Sequence, residues 1–360
     1  MRRVLLLSAY RSDSHAYWAD WLQREIDNVD WHVLELPGRH FAWRIRGNPL
    51  SWLDALPAEQ PDLLLATSMV DLATLKGLQP HLASVPSLLY FHENQFAYPL
   101  SDDQVRSVEP AMVQIYAGLS ADRLLFNSAF NRDSYLDGVE RLLERMPDHV
   151  PRDISRRLRE KSSVLPVGID PIEPAGDKDR RLVLWNHRWE YDKRPELFAD
   201  AMIELAVQGL GFRLALLGAR GRNPVPALER LRLELSDRIV ADGFLQKDEY
   251  RSIVSRAGIV VSTAAHEFQG LSMLEAVSAG AEPVVPDALC YPEQYPSRYR
   301  YAANDSGDLV RQLRETLSDE TSRAPDVAPW SSQSLRQRWR SVLLRPTPDA
   351  DRDRRREAGG

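Results

Sequence analysis

The chain has one cysteine in 360 residues, Cys290. That excludes an intramolecular disulfide and a cysteine-built zinc cluster, and it suits a reducing cytoplasm. Long apolar runs are also missing: no stretch reaches 18 apolar residues, so no membrane-spanning helix and no membrane partner are expected. The opening MRRVLLLSAYRSDSH puts only about six apolar residues before the polar RSDSH, which reads better as a buried strand than as a signal peptide. An excess of positive charge is absent too. Lys and Arg number 46 against 52 Asp and Glu, a net −6, so any nucleic-acid contact must come from a local patch. No Asp-x-Asp pair stands in a suitable strand-end loop; DAD and DRD lie in the tail PTPDADRDRRREAGG. No metal or other cofactor is therefore expected, and the tail, 346–360, is expected to be disordered for want of anything to bury.

What is present is the composition of a soluble globular protein, 43% hydrophobic and 27% charged, long enough for two domains. Short apolar runs ending in turn residues recur: VLLLSA (4–9), HVLEL (32–36), LLLAT (63–67), SLLYFH (87–92), RLLFNS (123–128) and SVLPVGI (163–169). Amphipathic segments at 17–27, 103–120 and 130–145 separate several of them, the alternation of a parallel sheet covered on both faces. The pattern restarts after EPAGDKDR (173–180), which has little to bury and is expected to be a linker. New strands are expected at 181–186, 212–218, 238–244, 258–264 and 283–286, with helices near 195–208, 226–234, 247–256 and 270–279. This predicts an α/β protein of two tandem Rossmann-like, doubly wound domains, 1–172 and 181–330, and a C-terminal helix over 331–345 that returns to the first domain. Ligands in such sheets lie beyond the carboxyl ends of the strands, so the domains are expected to face a cleft lined by strand-end loops. Those loops carry the unusual residues: RSDSH, FHENQ, FNSAFN, NHRWEYDKRP and AHEFQG.

In HRWEYDKRP, Arg188 and Lys193 stand five positions apart just before a helix entry marked by Pro195. Two cations at a strand-to-helix turn suit a diphosphate, Arg as a fork and Lys as a point charge; the ordinary alternative is a solvated loop. In AAHEFQGLSMLEA, Glu267 and Glu275 stand eight positions apart on either side of Gly270, where a helix begins. A helix start with a glycine is a ready anion site, so Glu267 before it and Glu275 within it could accept hydrogen bonds from the hydroxyls of two sugars flanking a phosphate. Taken alone, an E-x7-E spacing is better explained by one helix-starting acid and one exposed acid.

The E-x7-E spacing, the glycine between, the small-residue helix and the upstream Arg/Lys loop together resemble the retaining GT-B glycosyltransferases of the GT4-type class. The resemblance implies that Arg188 and Lys193 bind the diphosphate, Glu267 the donor sugar and Glu275 the ribose, with Phe268 beside them and the backbone of Gly270, Leu271 and Ser272 cradling phosphate. Base recognition is expected near Gly218 and the 243–247 turn with Gly243 and Phe244. A narrower resemblance comes from LPGRHFAWRIRG (36–47), YFHENQFAYP (90–99), FNSAFNRDSY (127–135), MPDHVPRD (146–153), HRWEYDKRPE (187–196), TAAHEFQGLSMLEAV (263–277) and YPEQYP (291–296), which in this order span about 260 residues. They are similar to the tRNA-queuosine α-mannosyltransferase family. That resemblance implies transfer of mannose from GDP-mannose to the cyclopentene diol of queuosine at the tRNA wobble position. It makes the partners a nucleotide-sugar donor and a tRNA.

The loop after the first strand departs from many relatives: Ala9, Tyr10 and Arg11 stand where those carry glycines. Ser14 and His15 there could meet donor or acceptor hydroxyls, and His92 is expected to contact the transferred sugar beside Glu93, Asn94 and Gln95, with Asn127 nearby. For the acceptor, RHFAWRIR carries Arg39, His40, Trp43, Arg44 and Arg46 without an acid, and 141–161 carries seven basic residues against four acidic. Arginines for phosphate and aromatic faces for unpaired bases are what an anticodon loop asks for, although 141–161 reads equally as a solvated helix face. No residue is an obvious covalent nucleophile. A front-face retaining reaction is expected, with Arg188 and Lys193 stabilising the leaving diphosphate and His92 and Glu267 positioning the sugar. A GT4-type enzyme acting on a lipid or small glycan and a non-catalytic nucleotide-sugar or RNA-binding module remain as alternatives. Against the last stands the presence of Arg188, Lys193, Glu267 and Glu275 together.

Overall fold

The first strand, β1 (Arg2–Arg11), carries Val4 to Leu7 essentially inaccessible to solvent. A run apolar on both faces suits the middle of a sheet covered on both sides. The computed structural model describes residues 1–98, 107–221, 223–319, 321 and 323–345. It divides into two units, one of Met1–Val167 with the chain from Leu335 onward, the other of Gly168–Ser334.

In the first unit β1 is followed by α1 (Asp13–Glu25), β2 (Val29–Pro37), α2 (Phe41–Ser51), β3 (Leu63–Thr67), α3 (Leu72–Leu78), β4 (Ser87–Phe91), α4 (Glu109–Ser120), β5 (Arg123–Phe126), α5 (Ala129–Leu143), α6 (Ile154–Glu160) and β6 (Ser162–Val164). The strands form one parallel sheet in the order β2-β1-β3-β4-β5-β6, with Leu5 opposite His32 on one side and Leu64 on the other. The second unit repeats the design. Its elements are β7 (Asp179–Trp185), α7 (Pro195–Val207), β8 (Arg213–Leu216), α8 (Pro226–Glu234), β9 (Ile239–Asp242), α9 (Lys247–Arg256), β10 (Ala257–Val261), α10 (Leu271–Ser278), β11 (Glu282–Pro286), α11 (Tyr291–Gln294), β12 (Arg300–Tyr301) and α12 (Ser306–Ser318). Its parallel order is β12-β11-β10-β7-β8-β9, so the order reverses between β7 and β10. Ligand crevices of doubly wound sheets open at such a reversal. Both units are Rossmann-like.

Two boundaries differ from the sequence reading. The first unit ends at Val167, not near 172, and 173–180 is not a free linker. The Ile172 amide donates to Ser278 Oγ at 3.0 Å, the Ala175 amide to the Ser255 carbonyl at 3.1 Å, and Lys178 Nζ to the Ala279 carbonyl at 2.7 Å. A segment poor in apolar side chains is held here by its backbone, Lys178 and the ion pairs of Asp177 with Arg256 and Asp179 with Arg213. After α12 the chain forms α13 (Ser332–Leu344), whose Trp339 is fully buried in the first unit and packs on Trp18, Trp21 and Tyr90. Its indole N–H donates to the Pro166 carbonyl at 2.9 Å. The tail 346–360 and Pro99 of the FHENQFAYP stretch lie outside the described residues.

Candidate active site

At the carboxyl end of β7 the chain must turn into α7, and it does so through a short 3₁₀ turn, Tyr191–Lys193. Pro195 then takes the first helical position, where its missing N–H costs nothing. This turn buries Lys193 and leaves Arg188 about half exposed beside Glu190 at 3.2 Å. Lys193 Nζ donates to the His266 carbonyl at 2.6 Å and to Glu267 Oε2 at 3.3 Å, and Asp192 Oδ2 lies 3.2 Å away. Burial alone would push the ammonium pKa down, but Glu267 and Asp192 outweigh it and the net shift is upward. Lys193 therefore stays charged. It also ties the loop after β7 to the loop after β10.

Glu267 is held from both sides. Burial works against its charge, yet Lys193, then His187 and His266, then a backbone hydrogen bond from Gly270 bring its pKa down to about 2. Its Oε1 also accepts from the Phe268 amide at 3.1 Å. The carboxylate thus gathers the amides at the start of α10 as well as the lysine, so part of its work is the plain helix-start role. Gly270 caps α10 with φ +65°, a left-handed geometry that suits glycine. Asn186 Nδ2 donates to the Ser272 carbonyl at 2.8 Å, fixing the first turn of α10 against the end of β7. Leu271 and Ser272 are half-buried there. A lysine, an arginine and the start of α10 thus lie together at the β7/β10 reversal, an arrangement whose charge and helix start can receive an anion.

Glu275, one turn into α10, accepts from the Tyr250 hydroxyl at 3.3 Å. Burial pushes its pKa up to about 7, against the opposing effects of Tyr250 and Arg251. Gly218 follows β8 with φ +91°, and a Cβ there would stand 2.0 Å from the His187 carbonyl oxygen. Only glycine lets these two strand-end loops approach so closely. Gly243 has φ +139°, and Phe244 beside it is 75% exposed. Phe268 is buried with its ring edge-on to His266. Sequence reasoning assigned nothing to Asp192, Asn186 or Tyr250; the position of Asp192 beside Lys193 was the available signal.

The site residues named in the first unit fall into three groups. His15 and His92 are buried with ring centroids 4.2 Å apart, against Trp18 and Tyr90, and neither Nε2 has a hydrogen-bond partner among the described residues. His15 Nδ1 lies 2.7 Å from Ser12 Oγ, burial lowers the His15 pKa to about 4, and burial followed by His15 holds His92 well below the usual imidazole value. Both rings are neutral at pH 7. The second group is spent on structure: Asn94 Nδ2 donates to the Asn131 side chain and carbonyl and to Ser134, its Oδ1 accepts from the Phe96 and Ala97 amides, and Asn127 donates to the His92 carbonyl. Asn94 and Asn127 accordingly hold the loop after β4 to α5 rather than offer their amides to a ligand. Glu93 and Gln95 are half-buried in that loop, where the Glu93 carbonyl accepts from Ser68 and the Gln95 amide donates to Gln114.

The third group is exposed. Ser14 faces solvent at the start of α1; Arg39 and His40 precede α2, Trp43 is 52% exposed on it, and Arg44 is half-buried. Arg46 is not the unbalanced cation its local sequence suggests, because Asp71 stands at 2.5 Å and Glu109 at 3.2 Å. In the basic stretch 141–161, Arg156 and Arg157 pair with Asp153, Arg156 also with Glu160, and Arg159 with Asp133, which matches the solvated-face reading for α6.

Residues 3–169 match the family described as tRNA-queuosine alpha-mannosyltransferase N-terminal, and residues 180–319 match glycosyl transferases group 1. A protein of Drosophila melanogaster named tRNA-queuosine alpha-mannosyltransferase is 33% identical over 324 residues, covering 86% of this chain and 85% of that one. The chain belongs to the tRNA-queuosine α-mannosyltransferase family. Solved structures support the same fold for this family member. A sucrose-phosphate synthase from Thermosynechococcus elongatus superimposes with TM-score 0.68 at 15% identity, covering 100% of both chains. The lipopolysaccharide outer core galactosyltransferase WaaB gives 0.65 at 12%, covering 96% of this chain and 99% of that one. The fold is GT-B, and the protein is a glycosyltransferase. Among the described residues no helix is long and apolar enough to cross a membrane.

Proposed function

We propose that the protein transfers mannose from GDP-mannose to a hydroxyl of the cyclopentene diol of queuosine in the tRNA anticodon, in the cytoplasm, with retention of anomeric configuration and without a metal. The observation that carries the donor half is the Lys193–Glu267 contact, 3.3 Å, joining the ends of β7 and β10 at the start of α10. A buried lysine kept charged by two acids is a preformed counter-charge for a diphosphate, and Arg188 adds a second cation from the same turn. When the sugar–phosphate bond breaks, negative charge grows on the leaving diphosphate. Lys193, Arg188 and the first amides of α10 stabilise it, and a diphosphate oxygen takes the acceptor proton on the same face of the sugar. Glu275 accepts from the ribose hydroxyls and Glu267 from the transferred sugar. The acceptor half rests on membership of the family.

The test is a reaction in EDTA with GDP-mannose or UDP-glucose and queuosine-containing tRNA, followed by NMR of the released glycosylated nucleoside. The reading expects GDP-mannose as donor and an α-linked product. A β-linkage refutes retention, exclusive use of UDP-glucose refutes the donor, and turnover that stops in EDTA refutes the metal-free reaction.

A further inference from the structure

Nine tryptophans occur in the chain, and only Trp43 is more than half exposed, at 52%. An indole on an exposed helix face ordinarily samples several rotamers. This one rests against its own helix. A Cβ built at Gly47, four residues on and hence on the same face, would stand 2.5 to 2.6 Å from ring atoms Cε2, Cδ2 and Cζ2. The ring occupies the space any other residue at 47 would fill, and it buries Gly47 beneath it. A glycine inside a helix weakens it, so the position is used for something other than helix stability. Its effect is to hold one side of the indole on the helix and leave the rest in solvent.

The surroundings are basic. Residues 37–47 contain Arg39, Arg44 and Arg46 and no acid. Arg46 is committed to Asp71 and Glu109, but Arg44 has an Nε–H shielded from water that finds no acceptor among the described residues.

We propose that Trp43, held in place by Gly47, is a stacking platform for one unpaired base of the RNA acceptor. This rests on the reading of tRNA as acceptor. An anchored aromatic face in a stretch with three arginines and no acid suits single-stranded RNA, whose splayed bases offer π-faces next to phosphates, whereas the bases of a duplex are stacked away from a side chain. Gly47 contributes by positioning the ring.

The test uses the full chain and an anticodon stem–loop oligonucleotide, with a blunt duplex of the same stem and phosphatidylglycerol vesicles as controls, and reads dissociation constants and the protection of tryptophan fluorescence from iodide. The wild type is expected to prefer the stem–loop and to lose its iodide-accessible fluorescence on binding. Trp43→Ala should weaken stem–loop binding about tenfold and Gly47→Ala about fivefold, while Trp43→Phe stays within about threefold of wild type. Circular dichroism checks that the variants fold. If the wild type prefers the stem–loop and Trp43→Ala binds it equally well, the platform is refuted while the tRNA reading stands. If the wild type does not distinguish stem–loop from duplex, the tRNA reading fails and the platform with it. Loss of vesicle binding alone in Trp43→Ala assigns the ring to a lipid surface and refutes the proposal.

Discussion

The Lys193 ammonium sits among Glu267, Asp192 and the His266 carbonyl, so removing it leaves two carboxylates facing each other in a buried place. Lys193→Ala should therefore cost stability as well as activity, about 3–5 kcal/mol for breaking such a pair. Glu267→Gln keeps the shape and an acceptor for the α10 amides, and Lys193 keeps Asp192 as partner. Because the Glu267 pKa lies at about 2, its charge stabilises the fold above pH 4.5, so the variant should melt below wild type at pH 7 while transfer falls at least about 100-fold, as read by calorimetry and initial rates. Glu275 offers a pH signature. Its folded pKa, about 7, lies above the ordinary carboxyl value of 4.5. Its contribution to stability is present below 4.5 and is lost as pH rises through 7, so Glu275→Gln should gain stability relative to wild type between those values when urea midpoints are compared. In kcat/KM for the donor, a rise near pH 7 should vanish in the same variant. That Arg188 and Lys193 stand at a strand-to-helix turn, and Glu267 and Glu275 about a helix start, was legible from the apolar runs that end just before them and not from their spacing alone. Asn94 and Asn127 were not, because the Asn131 and Ser134 groups that engage them arrive on α5 from a later stretch of chain.

Among the elements, the strand-end turns decide how closely the loops after β7 and β8 and the start of α10 approach one another. Gly218 and Gly270 both have positive φ, but a Cβ at Gly218 meets a backbone oxygen at 2.0 Å, while one at Gly270 meets nothing nearer than 3.5 Å. Gly270→Ala should cost only the left-handed strain, about 1–2 kcal/mol. Gly218→Ala must in addition separate the loops after β7 and β8, and denaturant midpoints should place it clearly below Gly270→Ala. Equal midpoints would contradict the close approach. Most strands were legible as apolar runs with turn residues at their ends. β12 was not, since two residues carry no periodicity, and α2 was hidden by Gly47 and Pro49, residues that ordinarily argue against a helix. Gly47 is tolerated with Trp43 folded onto it, and Pro49 sits near the end of the helix.

At the scale of the whole molecule the chain builds one Rossmann-like unit, then a second, and returns through α13 to the first. Trp339 is the anchor of that return, and Trp339→Ala should remove about 3–5 kcal/mol of packing. Hydrogen exchange should rise in β4 and α1, which carry Tyr90 and Trp18, and stay unchanged in β7 and β10. Two-unit architecture was legible because the strand–helix alternation restarts near residue 180; the docking of 173–180 was not, since it runs through backbone groups, Lys178 and the ion pairs of Asp177 and Asp179 rather than an apolar pattern. The central claim, that this architecture glycosylates queuosine in tRNA, is tested most directly by incubating the protein with GDP-mannose and queuosine-containing tRNA and analysing the digested nucleosides by mass spectrometry. The account predicts that queuosine is replaced by a species heavier by one hexose, and that Glu267→Gln does not produce it; transfer of mannose only to lipid or free sugar, with queuosine unchanged, would contradict it.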